Sequence, residues 1–319
     1  MFTKTFKQIG KNDANIAGGK GASLGEMTKV KLPVPPGFVV VADAFDQFLR
    51  ETHLDVEVEA ILAKVVPDKI SSVENASKKI RDLILDAEFP QDIKKEILSE
   101  FKKLGAKLVA VRSSATAEDG AIASWAGELE TYLNVTEKNL FEEVKKCWSS
   151  LFTPRAIFYR WEKNLQDHKV SVAVVIQKMV QSEISGITFT VHPVTQDHNQ
   201  MVIEAGYGLG EAIVGGMITP DTYIINKSKV ESGKSEGVIE DKNISQQEMM
   251  IVRSEKGTEE KRVAKKMQEK QKMADKRIME LSEICLAIEK HYGFPCDIEW
   301  AFESNKFYIT QSRPITTLG

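Results

Sequence analysis

A mixed helix-and-strand protein of the α/β (α+β) class, organised in two packed units, is what the sequence predicts, on three observations. The chain has 319 residues, more than one small core serves. Short apolar runs of strand character alternate with longer stretches of helical periodicity. Apolar residues make up 42% and charged residues 28%, the balance of a folded domain rather than of a disordered chain.

The same composition excludes several partner classes. Lys and Arg total 43 against 46 Asp and Glu, so the net charge of −3 offers no field for nucleic acid or an anionic membrane, and any phosphate must be gripped locally. No apolar run approaches the length of a membrane span, and residues 1–9 lack a signal-peptide core. Cys147, Cys285 and Cys296 are odd in number and lack metal spacing, which predicts a reduced, cytoplasmic setting. The five histidines include no pair at metal-ligand spacing.

From the N-terminus, a glycine turn at residues 18–21 leads into a short helix over 22–30, and the proline-rich stretch 32–37 precedes a strand at 38–41. Residues 43–65 and 73–103 read as amphipathic helices, with Ile80, Ile84, Ile93 and Ile97 supplying an apolar stripe. A strand at 107–111 runs into Arg112 and a series of small polar residues suited to a loop. A helix over 137–165, broken near Thr153-Pro154, is followed by strands at 170–177, 186–191 and 201–205. Residues 226–262 are poor in apolar groups and predict exposed hairpins or loop; a helix over 264–291 then stops at Gly293.

The last segment carries the most chemistry. Residues 297–302 and 306–314 both alternate as strands do, and a three-residue loop ending at Asn305 would pair Phe302 with Lys306 and Asp297 with Gln311. In that register Asp297, Glu299, Gln311 and Arg313 share one face, while Ile298, Trp300, Phe302 and Tyr308 share the other. Two carboxylates, an amide and a guanidinium suit a magnesium-bound polyphosphate, because Mg²⁺ takes hard oxygen ligands and Arg forks onto phosphate. A solvated strand face on which Glu and Arg pair across the sheet fits the same pattern.

Two glycine turns and an arginine add to this. Gly18-Gly19-Lys20-Gly21 would let backbone approach a phosphate while Lys20 supplies charge, yet it fails the P-loop pattern because Gly21, not Ser or Thr, follows the lysine. Gly206 to Gly210 fails dinucleotide-binding spacing in either frame, which leaves a tight turn opening a helix at Glu211. Arg112, at a strand end before a run of small residues, is placed either to grip phosphate or to pair with nearby acids.

Six motifs in order extend over nearly the whole chain: Gly18-Gly19-Lys20-Gly21-Ala22-Ser23-Leu24-Gly25; Val34-Pro35-Pro36-Gly37-Phe38; the Arg112-Ser113-Ser114 segment through Asp119; Ala126-Gly127 with Glu130-Thr131-Tyr132-Leu133-Asn134; Gly208-Leu209-Gly210-Glu211; and Asp297-Ile298-Glu299-Trp300 with Gln311-Ser312-Arg313-Pro314. In these the chain resembles the nucleotide-binding domain of the phosphoenolpyruvate synthase and pyruvate phosphate dikinase family. The resemblance implies an ATP-grasp architecture with an N-terminal lobe over 1–177 and a C-terminal lobe over 178–319, closing on ATP and Mg²⁺. By the same resemblance Lys20 and Arg112 hold phosphates, Gly127 and Thr131 belong to a lid, and Gln177 lies near the adenine. Glu299 and Gln311 then bind Mg²⁺ and Arg313 holds phosphate, with Asp297, Glu204, Glu211 and Arg155 in support. The family passes the phosphoryl group to a histidine on another domain and on to pyruvate, so a histidine-bearing partner is implied, either in a longer enzyme or in trans. A rifampin phosphotransferase ATP domain and a non-catalytic ATP-binding regulator are the alternatives.

Overall fold

The computed structural model describes residues 1–116, 130–165, 170–233, 236–255, 257–316 and 318. Of the described residues, helix accounts for 42% and strand for 27%. Every strand pairing among the described residues is antiparallel, which makes the protein α+β rather than parallel α/β. The chain divides into two compact units, Met1–Lys29 with Pro36–Met179, and Val30–Pro35 with Val180–Gly319.

The first unit runs β1 (Thr3–Thr5), α1 (Ala14–Lys29), β2 (Gly37–Val40), α2 (Ala42–Glu51), α3 (Leu54–Leu62), α4 (Ile70–Asp86), α5 (Gln91–Leu104), β3 (Val109–Ala115), β4 (Thr131–Val135), α6 (Leu140–Ser149), α7 (Pro154–Glu162) and β5 (Val172–Lys178). Its sheet has the order β1-β2-β5-β3-β4. Alternation along the two central strands splits its faces. Val109, Val111 and Ala115 of β3 and Val172, Val174 and Ile176 of β5 enter a core with Phe45, Phe48, Phe89, Trp148 and Phe152. The Trp148 ring lies 4.9 Å from Phe48 and 5.3 Å from Phe89, centroid to centroid, so one aromatic cluster ties α2, α6 and the approach to α5 to the sheet. The opposite face, with Arg112, Ser114 and Gln177, is left to α1, where a Cβ on Gly21 would lie 3.1 Å from Val39.

Local signals explain where the helices differ from expectation. The stretch 43–65 forms two helices because His53 takes a left-handed φ of +57° between them. The stretch 73–103 is likewise divided ahead of Gln91 by Pro90, which stands before the first residue of α5. α7 starts where Thr153 Oγ1 accepts the Ala156 amide at 3.1 Å, with Pro154 in the first turn. The N-terminal helix begins at Ala14, ahead of the expected turn, and Gly18 is a kink inside it. β1, of three residues, is too short to stand out by periodicity.

The second unit runs β6 (Ile184–Phe189), β7 (Gln200–Tyr207), α8 (Glu211–Val214), β8 (Asp221–Asn226), α9 (Lys227–Glu231), β9 (Ile239–Asn243), β10 (Met249–Ser254), β11 (Gly257–Arg262), α10 (Lys265–Gln268), α11 (Asp275–Tyr292), β12 (Cys296–Glu303) and β13 (Lys306–Pro314). Its main sheet has the order β13-β12-β6-β7-β8-β9, and β10 with β11 forms a separate hairpin. α11 buries Ile278, Leu281, Cys285 and Ile288 and ends at Gly293, whose φ is +76°. The expected helix over 264–291 is interrupted at Lys272. Both its amide (2.8 Å) and its ammonium (2.7 Å) bind the fully buried Asp221, which also accepts Tyr223 Oη at 2.8 Å and the Ser245 amide at 3.0 Å. A buried carboxylate satisfied from four sides holds that loop in place of helical hydrogen bonds. The Ile309 amide donates to Pro33 O at 2.8 Å, which joins the short stretch 30–35 to β13. Among the described residues no helix is long and apolar enough to cross a membrane.

Candidate functional site

In the first unit the kink at Gly18 positions Lys20. Gly18 has φ 66° and ψ 169°, a region open essentially to glycine alone, and a Cβ there would collide with the hydroxyl and carbonyl of Ser114. The kink therefore sets the α1 backbone against β3, and the Gly21 amide donates to Ser114 Oγ at 3.3 Å. Lys20 lies between these two glycines, half-buried, in the first turn after the kink. Ser114 was not singled out by sequence; its place two residues beyond Arg112, on the same strand face, is the signal that points to it.

Arg112 is directly opposite Thr131 of β4 on one side and Val175 of β5 on the other. Gln177, two residues beyond Val175, shares its face, and Arg112 Nη1 lies 3.4 Å from Gln177 Oε1, at the long end of hydrogen bonding. Arg112 is 7% exposed and Gln177 2%, so their polar atoms are held by protein rather than by bulk water. Three expected site residues, Arg112, Thr131 and Gln177, thus come together across three adjacent strands. Gly127 lies outside the described residues.

In the second unit the hairpin differs from expectation in its loop and agrees in its outcome. The loop has two residues, Ser304 and Asn305, both with left-handed φ (51° and 62°), and Glu303 pairs with Lys306. Left regular, that register would set Glu299 opposite Thr310 and send Gln311 to the far face. Instead a β-bulge between Glu299 and Trp300 leaves Thr310 over, so Glu299 pairs with Gln311 and Asp297 with Arg313. Tyr308, expected on the core face, pairs with Ala301 on the carboxylate face, and Phe307 and Ile309 fill the core. Gly186 of β6 opposes Trp300, where any Cβ would strike the indole and the Glu204 carbonyl.

Arg313 donates to Asp297 Oδ2 through Nε at 2.9 Å and Nη2 at 2.8 Å, while its side chain stays 44% exposed. The guanidinium is therefore anchored at one edge by Asp297. Burial pushes the Asp297 carboxyl above its ordinary value; Arg313 opposes that and Glu299 adds to it. Glu204 on β7, facing Ile187, which in turn faces Glu299, is also raised, first by burial and then by Asp297. Glu211 opens α8, and Arg155 lies in the first turn of α7 in the other unit.

Glu299 and Gln311 offer a carboxylate and an amide oxygen from directly paired positions. Among the described residues no three His, Cys, Asp or Glu side chains gather as a metal cage. Such a two-oxygen set suits Mg²⁺, which keeps waters and phosphate oxygens as its remaining ligands, and does not suit Zn²⁺.

The chain is similar to known proteins over nearly its whole length. The model of the pyruvate phosphate dikinase AMP/ATP-binding domain matches residues 14–319. A probable phosphoenolpyruvate synthase of Methanocaldococcus jannaschii is 48% identical over 99% of this chain and 27% of its own. The phosphoenolpyruvate synthase of Pyrococcus furiosus is 39% identical over 99% of this chain and 44% of its own. A rifampicin phosphotransferase of Bacillus subtilis is 39% identical over 98% of this chain and 35% of its own. The chain therefore spans less than half the length of these relatives.

Proposed function

Since this chain belongs to the pyruvate phosphate dikinase AMP/ATP-binding domain family, we propose that it binds Mg-ATP and passes a phosphoryl group to a histidine on another domain or partner, in the service of phosphoenolpyruvate synthesis from pyruvate. The observation that carries the reading is the register of β12 and β13, which pairs Glu299 with Gln311 beside the Asp297–Arg313 ion pair. Glu299 and Gln311 hold the magnesium ion, whose chemistry there is neutralisation of phosphate charge. Lys20 and Arg112 grip phosphate oxygens, Lys20 as a point charge and Arg112 as a planar fork. Thr131 lies beside them as a hydroxyl donor, and Gln177 keeps Arg112 in orientation as well as lying towards the base. Arg313, steadied by Asp297, adds positive charge where negative charge develops during transfer. Such a protein positions and neutralises, and the acceptor supplies the nucleophile. A cytoplasmic setting accords with three free, buried cysteines.

Glu299→Ala should abolish magnesium-dependent ATP binding, read by titration calorimetry with and without Mg²⁺, while circular dichroism stays unchanged. Unaltered affinity in that variant would remove Glu299 from the metal site. Transfer itself is checked by incubating labelled ATP with a histidine-bearing domain of a phosphoenolpyruvate synthase relative and looking for acid-labile label.

The similarity to rifampicin phosphotransferases favours a second reading, in which this ATP domain serves modification of an antibiotic hydroxyl. The final acceptor separates the two: label chased into pyruvate supports the first, label chased into rifampicin the second. ATP binding without transfer to either would leave a regulator.

A further inference from the structure

We propose that Arg81, Glu130 and Tyr132 form a positioning assembly that fixes the β3–β4 edge and through it sets the affinity for Mg-ATP. The inference rests on the nucleotide reading above, since it concerns how Arg112 and Thr131 are held.

Glu130 immediately precedes Thr131, the residue opposite Arg112. Its carbonyl oxygen accepts both the amide (3.1 Å) and the hydroxyl (2.8 Å) of Ser113, the residue after Arg112. Its carboxylate accepts Arg81 Nη2 from α4 at 3.0 Å and the hydroxyl of Tyr132 from β4. The Cys147 thiol of α6 points at the same Glu130 carbonyl from 3.9 Å, and Lys146 of α6 lies 5.6 Å from the Tyr132 ring centre. Groups from α4, α6, β3 and β4 thus converge on one glutamate, on the side of the sheet away from Arg112.

The ion pair is half-buried, with side chains 30% exposed on both partners, so it is screened less than a surface pair. Burial and the Glu130 hydrogen bond both push the Tyr132 hydroxyl upward, so it stays a donor. Tyr132 pairs with Val111 on the strand face opposite Arg112. Arg81, Glu130 and Tyr132 act through the backbone: the Ser113–Glu130 bonds are the rung next to the Arg112–Thr131 pair, and a loosened rung moves both side chains. An arginine fork tolerates little displacement from its phosphate partner.

A purely stabilising role for the same ion pair is separated by measuring affinity apart from stability. Arg81→Met, Glu130→Gln and Tyr132→Phe in the 319-residue chain are titrated with Mg-ATP by calorimetry, beside thermal unfolding of each. We expect Arg81→Met and Glu130→Gln each to weaken Kd about tenfold in the folded protein, with the double variant no weaker than either single one. Arg81→Lys should recover most of the affinity, and Tyr132→Phe, which removes one hydroxyl and keeps the ring, should weaken it about threefold. Lys103→Met, which breaks the exposed Lys103–Glu100 pair, is the control and should leave Kd unchanged. Lowered melting temperatures with wild-type Kd in all the Arg81, Glu130 and Tyr132 variants would overturn the inference alone. A wild-type chain that fails to bind Mg-ATP would overturn the nucleotide reading as well.

Discussion

Glu204 and Asp297 are carboxylates that burial has made weaker acids; Asp297 adds to the effect at Glu204, and Glu299 adds to it at Asp297 against the opposing Arg313. A carboxyl group with a folded-state pKa above its unfolded value binds its proton more tightly when folded. The stability it contributes is full below the unfolded value and is lost as pH rises through the folded one. The protein therefore carries a penalty at neutral pH, chiefly from burying these carboxylates and secondarily from the negative charge of their neighbours. Glu204→Gln should relieve part of it, raising the melting temperature more at about pH 7.5 than at about pH 4, because protonation relieves the penalty as pH falls. An equal shift at both values would assign the effect to packing. Gly18 shows what sequence conveys at this scale: a glycine turn before Lys20 was legible, but its contact with Ser114 was not, because nothing local encodes which strand a turn will meet.

Among the elements, the β12–β13 hairpin was the most legible and also shows why reading stops short. Alternating polar and apolar residues announced two strands and put Glu299 and Gln311 on a common face. The loop was misjudged because Ser304, a residue with little left-handed preference, adopts φ 51° beside Asn305. The bulge then compensates for the shorter loop, and a bulge leaves no periodic trace. It follows that deleting Thr310 should straighten the ladder without parting Glu299 from Gln311, since the two-residue loop then pairs them directly. Magnesium-dependent ATP binding should survive that deletion within about tenfold, as calorimetry would show, despite lost local twist. Loss comparable to Glu299→Ala would mean that the bulge does more than keep register. The long helices were legible as amphipathic stretches, and their interruptions at His53 and Lys272 were not, because the first is a backbone conformation and the second answers to Asp221, 51 residues away.

For the whole molecule, the chemistry of sulfur gives a direct check on integrity. All three cysteines are free and buried. Burial pushes the Cys285 and Cys296 thiols up to about 12 and raises Cys147 well above its ordinary value. Thiolate, the reactive form, is therefore scarce in the native state. A disulfide reagent added to the native protein should label none of the three, and label all three after denaturant. A fast-reacting thiol in native buffer would contradict the burial of at least one helix or strand. The antiparallel architecture, by contrast, was beyond the sequence, because pairing direction depends on contacts between distant segments.

The stretch Val30–Pro35 belongs with the second unit although first-unit elements stand on both sides of it. One of its carbonyls, that of Pro33, is a rung for β13. A recombination event that exchanged the C-terminal half between two relatives at a single crossover would therefore import a β13 without the proline-rich strip fitted to it. Clean inheritance of either unit requires two exchanges, so natural chimaeras and engineered hybrids alike should favour transfer of the domain entire.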